Sequence, residues 1–119
     1  MPKKILVIDD DLEVVELVRR KLEANQYEVI TANDGASGFS LLRDQKPDLI
    51  VLDVLMPHMD GYSFVQEIKR HDDLRNIPIL VVTAKDEMQE LFITEGVSCF
   101  LVKPIKTDFF MEKVRQLTS

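Results

Sequence analysis

Leu49-Ile50-Val51-Leu52 is an unbroken run of branched apolar residues that stops on an acid, Asp53. Apolar residues without alternation describe a strand covered on both faces, as in a parallel sheet, whose strands are joined by helical crossovers. Past Asp53, the stretch Val54-Leu55-Met56-Pro57-His58-Met59-Asp60-Gly61 breaks the pattern with a proline and an Asp-Gly turn. A carboxylate at the C-terminal end of a parallel strand stands where open α/β sheets bind and react with ligands. Asp53 is therefore a candidate nucleophile.

The rest of the chain repeats this unit. Lys4 to Ile8 is a buried strand that runs into Asp9-Asp10-Asp11. Leu12 to Asn25 carries Val14, Val15, Val18 and Leu22 at helical spacing. Tyr27 to Ala32 reads as a second strand, and a helix from Ala36 to Gln45 turns Phe39 and Leu42 inward. Tyr62 to His71 is a third helix with an inner stripe of Phe64, Val65 and Ile68. A strand from Ile79 to Thr83, a helix from Asp86 to Glu95 ending at Gly96, a strand from Cys99 to Lys103 and a helix from Thr107 to Leu117 complete the series. Five alternations with short links, and no internal repeat or linker, predict one domain over residues 1–119. Its expected fold is a doubly wound, flavodoxin-like α/β sheet of five parallel strands in the order 2-1-3-4-5.

That order makes the first and third strands neighbours and brings Asp9, Asp10 and Asp53 to one crevice. Two carboxylates about 4 Å apart repel by roughly 4 kcal/mol at an effective dielectric near 20, so protons or a cation must neutralise them. Carboxylate oxygens suit Mg2+, which takes one or two of them, keeps several waters and completes its shell with phosphate. Thr83 ends the fourth strand with a hydroxyl donor, and Lys103 ends the fifth with a positive charge. An aspartate nucleophile, a divalent cation and a lysine make an aspartyl-phosphate site. Singly, each residue has an ordinary explanation: a helix-capping run for Asp9-Asp10-Asp11, a turn for Asp53, a strand end for Thr83, a surface charge for Lys103. Their meeting at four strand exits is what carries the functional reading.

Composition narrows the remaining classes. A formal net charge of −6 argues against nonspecific binding to nucleic acid or anionic membrane. No apolar run approaches the roughly 18 residues of a membrane span, and no signal-peptide pattern follows Met1, so a cytoplasmic location is expected. The single Cys99 excludes an internal disulfide and reads as a small buried core residue. His58 and His71 have no partners at metal-ligand spacing, and no glycine-rich phosphate loop or Ser-His-Asp elbow is present.

The chain resembles the receiver domain of the response regulators of two-component signalling, over essentially its whole length. The resemblance rests on Asp-Asp after the first strand, Asp53-x-x-Met56-Pro57-x-Met59-Asp60-Gly61 after the third, Thr83-Ala84 after the fourth and Lys103-Pro104 after the fifth. It implies that Asp53 accepts a phosphoryl group from a histidine kinase or phosphotransfer protein. It further implies that Asp10 and Asp53 ligate Mg2+ directly, that Asp9 acts through water, and that the Leu55 carbonyl completes the protein ligands. Thr83 and the Ala84 N–H would bind the phosphoryl group, Lys103 would pair with it ahead of a cis peptide, and Phe100 would be the switch aromatic. The domain would signal rather than act as an enzyme, through a downstream protein or output domain.

Met88, Leu91, Phe92 and Ile93 crowd a short fourth helix, and Phe109 and Phe110 are consecutive in the fifth. Adjacent helical residues do not share a face. Part of this set is therefore expected at the surface, binding a partner or a second copy through the face of helix 4, strand 5 and helix 5. Between Thr83 and Gly96 the chain is slightly shorter than the family's usual spacing, and Leu55 and Lys85 occupy variable positions flanking the phosphorylation site. Two alternatives stay open: a pseudo-receiver that binds without phosphorylation, and a metal-dependent phosphotransferase acting on a foreign substrate. The latter would need a second acid placed to protonate a leaving group and a covering cap, for which no insertion is long enough. Stand-alone regulator and domain of a longer protein are both compatible with the sequence.

Overall fold

The computed structural model describes residues 2–53, 61–84 and 89–119. Among them, strands and helices alternate as β1 (Lys4–Ile8), α1 (Leu12–Ala24), β2 (Glu28–Ala32), α2 (Gly35–Gln45), β3 (Leu49–Asp53), α3 (Gly61–Lys69), β4 (Ile79–Thr83), α4 (Gln89–Thr94), β5 (Cys99–Val102) and α5 (Thr107–Thr118). All strand pairs are parallel, and the order is β2-β1-β3-β4-β5. The doubly wound sheet expected from the apolar runs is the sheet observed.

Two apolar clusters, one on each face, hold it. Leu6, Ile8, Ile50, Leu52, Ile79 and Val81 meet Leu42, Phe64, Val65, Ile68 and Phe92 from α2, α3 and α4. On the other face Ile5, Val7, Leu49, Val51 and Leu80 meet Val15 and Leu22 of α1 and Phe110, Met111 and Val114 of α5. Every residue of β3 is buried, which is why its sequence shows no alternation.

Several local expectations shift. Val14 and Val18 are half-buried while Val15 and Leu22 carry the α1 contact. The third helix ends at Lys69, two residues early, because the N–H groups of Arg70 and His71 turn back to the carbonyls of Glu67 and Ile68 at 3.2 and 3.1 Å. Those are the tighter bonds of a terminating turn. Of the expected fourth helix, residues 86–88 and Met88 with them lie outside the described residues. Gly96 takes φ +88°, the left-handed conformation that ends α4. Cys99 is half-buried rather than enclosed, since β5 is an edge strand.

Candidate functional site

The ladder register levels the strand exits. Ile8 pairs with Leu52, Asp53 with Val82, and Thr83 with Val102. Asp9, Asp53, Thr83 and Lys103 therefore leave the sheet within a step or so of one another. Thr83 is fully buried, Asp9 is 4% exposed and Asp53 9%. Lys103 Nζ donates to Asp53 Oδ2 at 3.0 Å. Its backbone N–H donates to the Thr83 carbonyl at 2.7 Å, carrying the β4–β5 ladder one residue past β5. The Lys103–Pro104 peptide is cis, as expected. Ala84 follows Thr83 at the exposed rim, and Leu55 and Lys85 lie outside the described residues.

The three consecutive acids have three different environments. Asp9 is buried, and its Oδ1 accepts the N–H of Asp11 at 2.9 Å. Asp10 is exposed and lines neither cleft beside Asp9. Asp11 caps α1, accepting from the N–H groups of Glu13 and Val14. The pocket thus unites Asp9 with Asp53 and leaves Asp10 at its edge. For Asp11 the ordinary capping explanation holds.

Burial pushes the Asp9 carboxyl from about 3.8 up to about 6; the Asp11 N–H and Lys103 oppose the rise, and the charge of Asp53 adds to it. A gap of that size corresponds to about 3 kcal/mol. The sign follows from linkage: the folded chain holds a proton here that the unfolded chain has released, so stability falls as pH rises from about 4 through 6. Without metal, Asp9→Asn is expected to stabilise the fold by about 2–3 kcal/mol more at pH 7.5 than at pH 4. Urea denaturation of both proteins at the two pH values measures this; an equal effect at both would refute it.

Among the described residues, no group of three or more His, Cys, Asp or Glu gathers at ligating distance. Two buried carboxylates of like charge, one with its pKa driven up, nonetheless fit a hard divalent cation that takes one or two carboxylates and keeps its own waters. Asp9 and Asp53 line the pocket such a cation would enter, and Asp10 stands exposed at its edge.

A cleft of about 230 Å³ opens between α1 and α5 beside these residues, lined by Val14, Leu17, Val18, Ile105 and Phe110 with Asp9, Asp53 and Lys103. Leu17 is 68% exposed. It was not a candidate from sequence, although an apolar residue off the Val15–Leu22 stripe is the signal that would have found it. On the opposite face Phe100, buried three residues before Lys103, packs on Phe92 with ring centroids 5.9 Å apart. Phe92 in turn meets Tyr62 edge-on at 5.7 Å, and the Tyr62 hydroxyl donates to Glu95 at 2.7 Å.

A doubly wound sheet with a buried aspartate pair and a lysine at the β1/β3 switch point defines an α/β domain whose reactive groups all sit at the strand exits. The chain belongs to the response regulator receiver domain family, which it matches over residues 5–115. It is 38% identical to the response regulator MprA of Mycobacterium sp. (strain KMS), over 98% of this chain and 51% of that protein. It is 39% identical to the response regulator PleD of Caulobacter vibrioides (strain NA1000 / CB15N), over 99% of this chain and 26% of that protein. The chain thus spans about half, or about a quarter, of the length of these relatives. Among solved structures it is similar to the chemotaxis response regulator CheY4 of Vibrio cholerae, with TM-score 0.91 and 28% identity over 98% of this chain and 99% of that one. The signal receiver domain from Bermanella marisrubri matches with TM-score 0.93 and 28% identity over the whole of both chains. This is a response regulator receiver domain, a signalling domain of two-component systems.

Proposed function

We propose that Asp53 accepts a phosphoryl group from the phosphohistidine of a sensor histidine kinase or phosphotransfer protein, and that loading changes what the domain binds. The observation that carries this is a buried Asp53, paired with Lys103 at 3.0 Å, next to a second buried aspartate. An Asp53 carboxylate oxygen attacks phosphorus, the P–N bond breaks, and the imidazole leaves with the electron pair; an acyl phosphate remains on Asp53. Lys103 then pairs with the phosphoryl oxygens, and the Thr83 hydroxyl and Ala84 N–H donate to them. When bound, Mg2+ offsets charge between the carboxylates and the phosphoryl oxygens. Asp10, Asp53 and the Leu55 carbonyl would ligate it directly, and Asp9 would act through bound water.

A donor must reach Asp53 across the rim of the cleft, so an apolar contact there would be the exposed Leu17 of α1. On the other side, drawing Thr83 toward a phosphoryl group disturbs the face it shares with Phe100. Phe100 packs on Phe92 in a tilted ring contact, so the effect reaches α4. The transfer is signalling chemistry confined to the domain's own aspartate, not turnover of a foreign substrate. The net charge of −6 disfavours direct nucleic-acid binding, and no described helix is long and apolar enough to cross a membrane. A cytoplasmic location suits a kinase partner. Residues 1–119 are taken as one receiver unit that acts on a downstream protein or an output domain.

The test is intact mass after incubation with acetyl phosphate, with and without Mg2+. A magnesium-dependent gain of one phosphoryl group supports the proposal; no gain in folded protein that binds Mg2+ sinks it with that donor.

The output surface has its own test. Leu91 and Ile93 on α4, Val102 on β5 and Phe109 on α5 are exposed at 48%, 49%, 38% and 45%, whereas Phe92 and Phe110 are buried. Alanine at Phe92 would probe the core, so the surface variants are Leu91→Ser and Phe109→Ser. Both are expected to keep the melting temperature while abolishing self-association or output binding of the phosphorylated domain in sedimentation experiments. Unchanged assembly in the double variant would move the interface elsewhere.

A further inference from the structure

α4 is a short helix of six residues with one buried side chain, Phe92. Phe92 packs on Phe100 of β5, and the Tyr62 ring of α3 meets it edge-on. Just past α4 stands the half-buried Glu95. A negative charge at the C-terminal end of a helix opposes the macrodipole, so this carboxylate is poorly placed unless something else holds it. Two donors from α3 do so. Glu95 Oε1 accepts from the Tyr62 hydroxyl at 2.7 Å and from Gln66 Nε2 at 3.4 Å. Tyr62 and Gln66 are four residues apart and share one face of α3. Next to this contact the end of α4 closes on itself. The N–H groups of Glu95, Gly96 and Val97 donate to the carbonyls of Leu91, Ile93 and Phe92 at 3.1, 3.0 and 3.2 Å.

We propose that the Tyr62 and Gln66 bonds to Glu95 form a latch that holds α4 against α3 in the unphosphorylated domain, and that loading of Asp53 breaks this latch to move the α4 face. Only the second half rests on the phosphoacceptor reading. Phe92 lies between Phe100, the ring that drawing Thr83 inward disturbs, and Tyr62, the ring that carries the latch. Phe92 and Glu95 are three residues apart, so a shift of Phe92 carries Glu95 away from its donors. Leu91 and Ile93, exposed on the same helix, move with them. A bond made in one state and lost in the other sets the balance between the two.

Hydrogen exchange of the Glu95, Gly96 and Val97 amides, followed by NMR, reads the latch directly. Tyr62→Phe keeps the ring on Phe92 and drops the hydroxyl. It is expected to speed exchange of these amides about tenfold while the β3 amides stay as they are. Glu95→Ala separates the latch from helix propensity by sign. Alanine favours the helix and removes the charge that opposes the dipole, so without a latch exchange would slow. With the latch, Glu95→Ala also speeds exchange about tenfold. Acetyl phosphate and Mg2+, with uptake checked by intact mass, are expected to speed the same amides in the unaltered protein. In Tyr62→Phe they add no more than about twofold, because the bond is already gone.

Slowed or unchanged exchange in either variant, or a rise shared equally by β3, would overturn the latch. A phosphorylated unaltered protein whose α4 amides exchange as before would overturn its release. No phosphoryl uptake by the unaltered protein fails the phosphoacceptor reading and the release with it; the two variants then decide the latch by themselves.

Discussion

Asp53→Asn is expected to fold and to take up no phosphoryl group, where the unaltered domain gains one in the presence of Mg2+. Asparagine keeps the shape of the side chain and removes the nucleophilic oxygen, so the loss of loading is complete rather than partial. Two effects on stability oppose each other. Lys103 loses the partner it holds at 3.0 Å, and Asp9 loses the like charge beside it. Lys103 is half-exposed and water can solvate it, so the net change is expected within about 1 kcal/mol. Intact mass after acetyl phosphate treatment, with urea denaturation of the same sample, reads both. A phosphoryl adduct on the folded variant would place the acceptor on another residue.

Phe92→Ala is expected to be the most damaging single truncation in the domain, at about 3–5 kcal/mol. Phe92 is fully enclosed and is the largest such side chain among the described residues. It is the buried residue of α4, and it packs against both Phe100 and Tyr62. Removing it leaves a cavity between α4 and β5 that neither ring fills without leaving its own site. Set against the roughly 5–15 kcal/mol stability of a small domain, the loss is a large fraction of the total. Urea denaturation measures it; a cost below about 1.5 kcal/mol would mean that α4 repacks over the gap. Because Phe92 lies between Phe100 and α3, the variant should also blunt any phosphorylation-dependent change at the α4–β5–α5 face.

The sequence was most legible where one physical rule acts alone. An apolar run with both faces covered can only be an inner strand, so β3 begins and ends where the run does, at Leu49 and Asp53. Right-handed crossovers restrict how such a chain can wind, and once the order is 2-1-3-4-5 the exits of β1 and β3 bring Asp9 to Asp53. The shift of β2 to Glu28 and of the α3 end to Lys69 concerns fraying termini, where the last hydrogen bonds rather than the residue pattern decide.

Other features depend on atoms brought together from distant parts of the chain. Asp9, Asp10 and Asp11 are chemically identical, and only the α1 cap and the wall of the sheet make one a buried carboxylate, one an exposed one and one a helix cap. Leu91, Phe92 and Ile93 are comparably apolar, and only docking on Phe100 and Tyr62 selects Phe92 for the core. By itself, then, the sequence determined the alternation of strands and helices, the sheet and the residue types gathered at its strand exits, because periodicity and chirality are local properties. The raised pKa of Asp9, the cleft beside Leu17 and the division of apolar residues between core and partner surface were decided by tertiary structure, because desolvation and packing depend on neighbours that are remote in the chain.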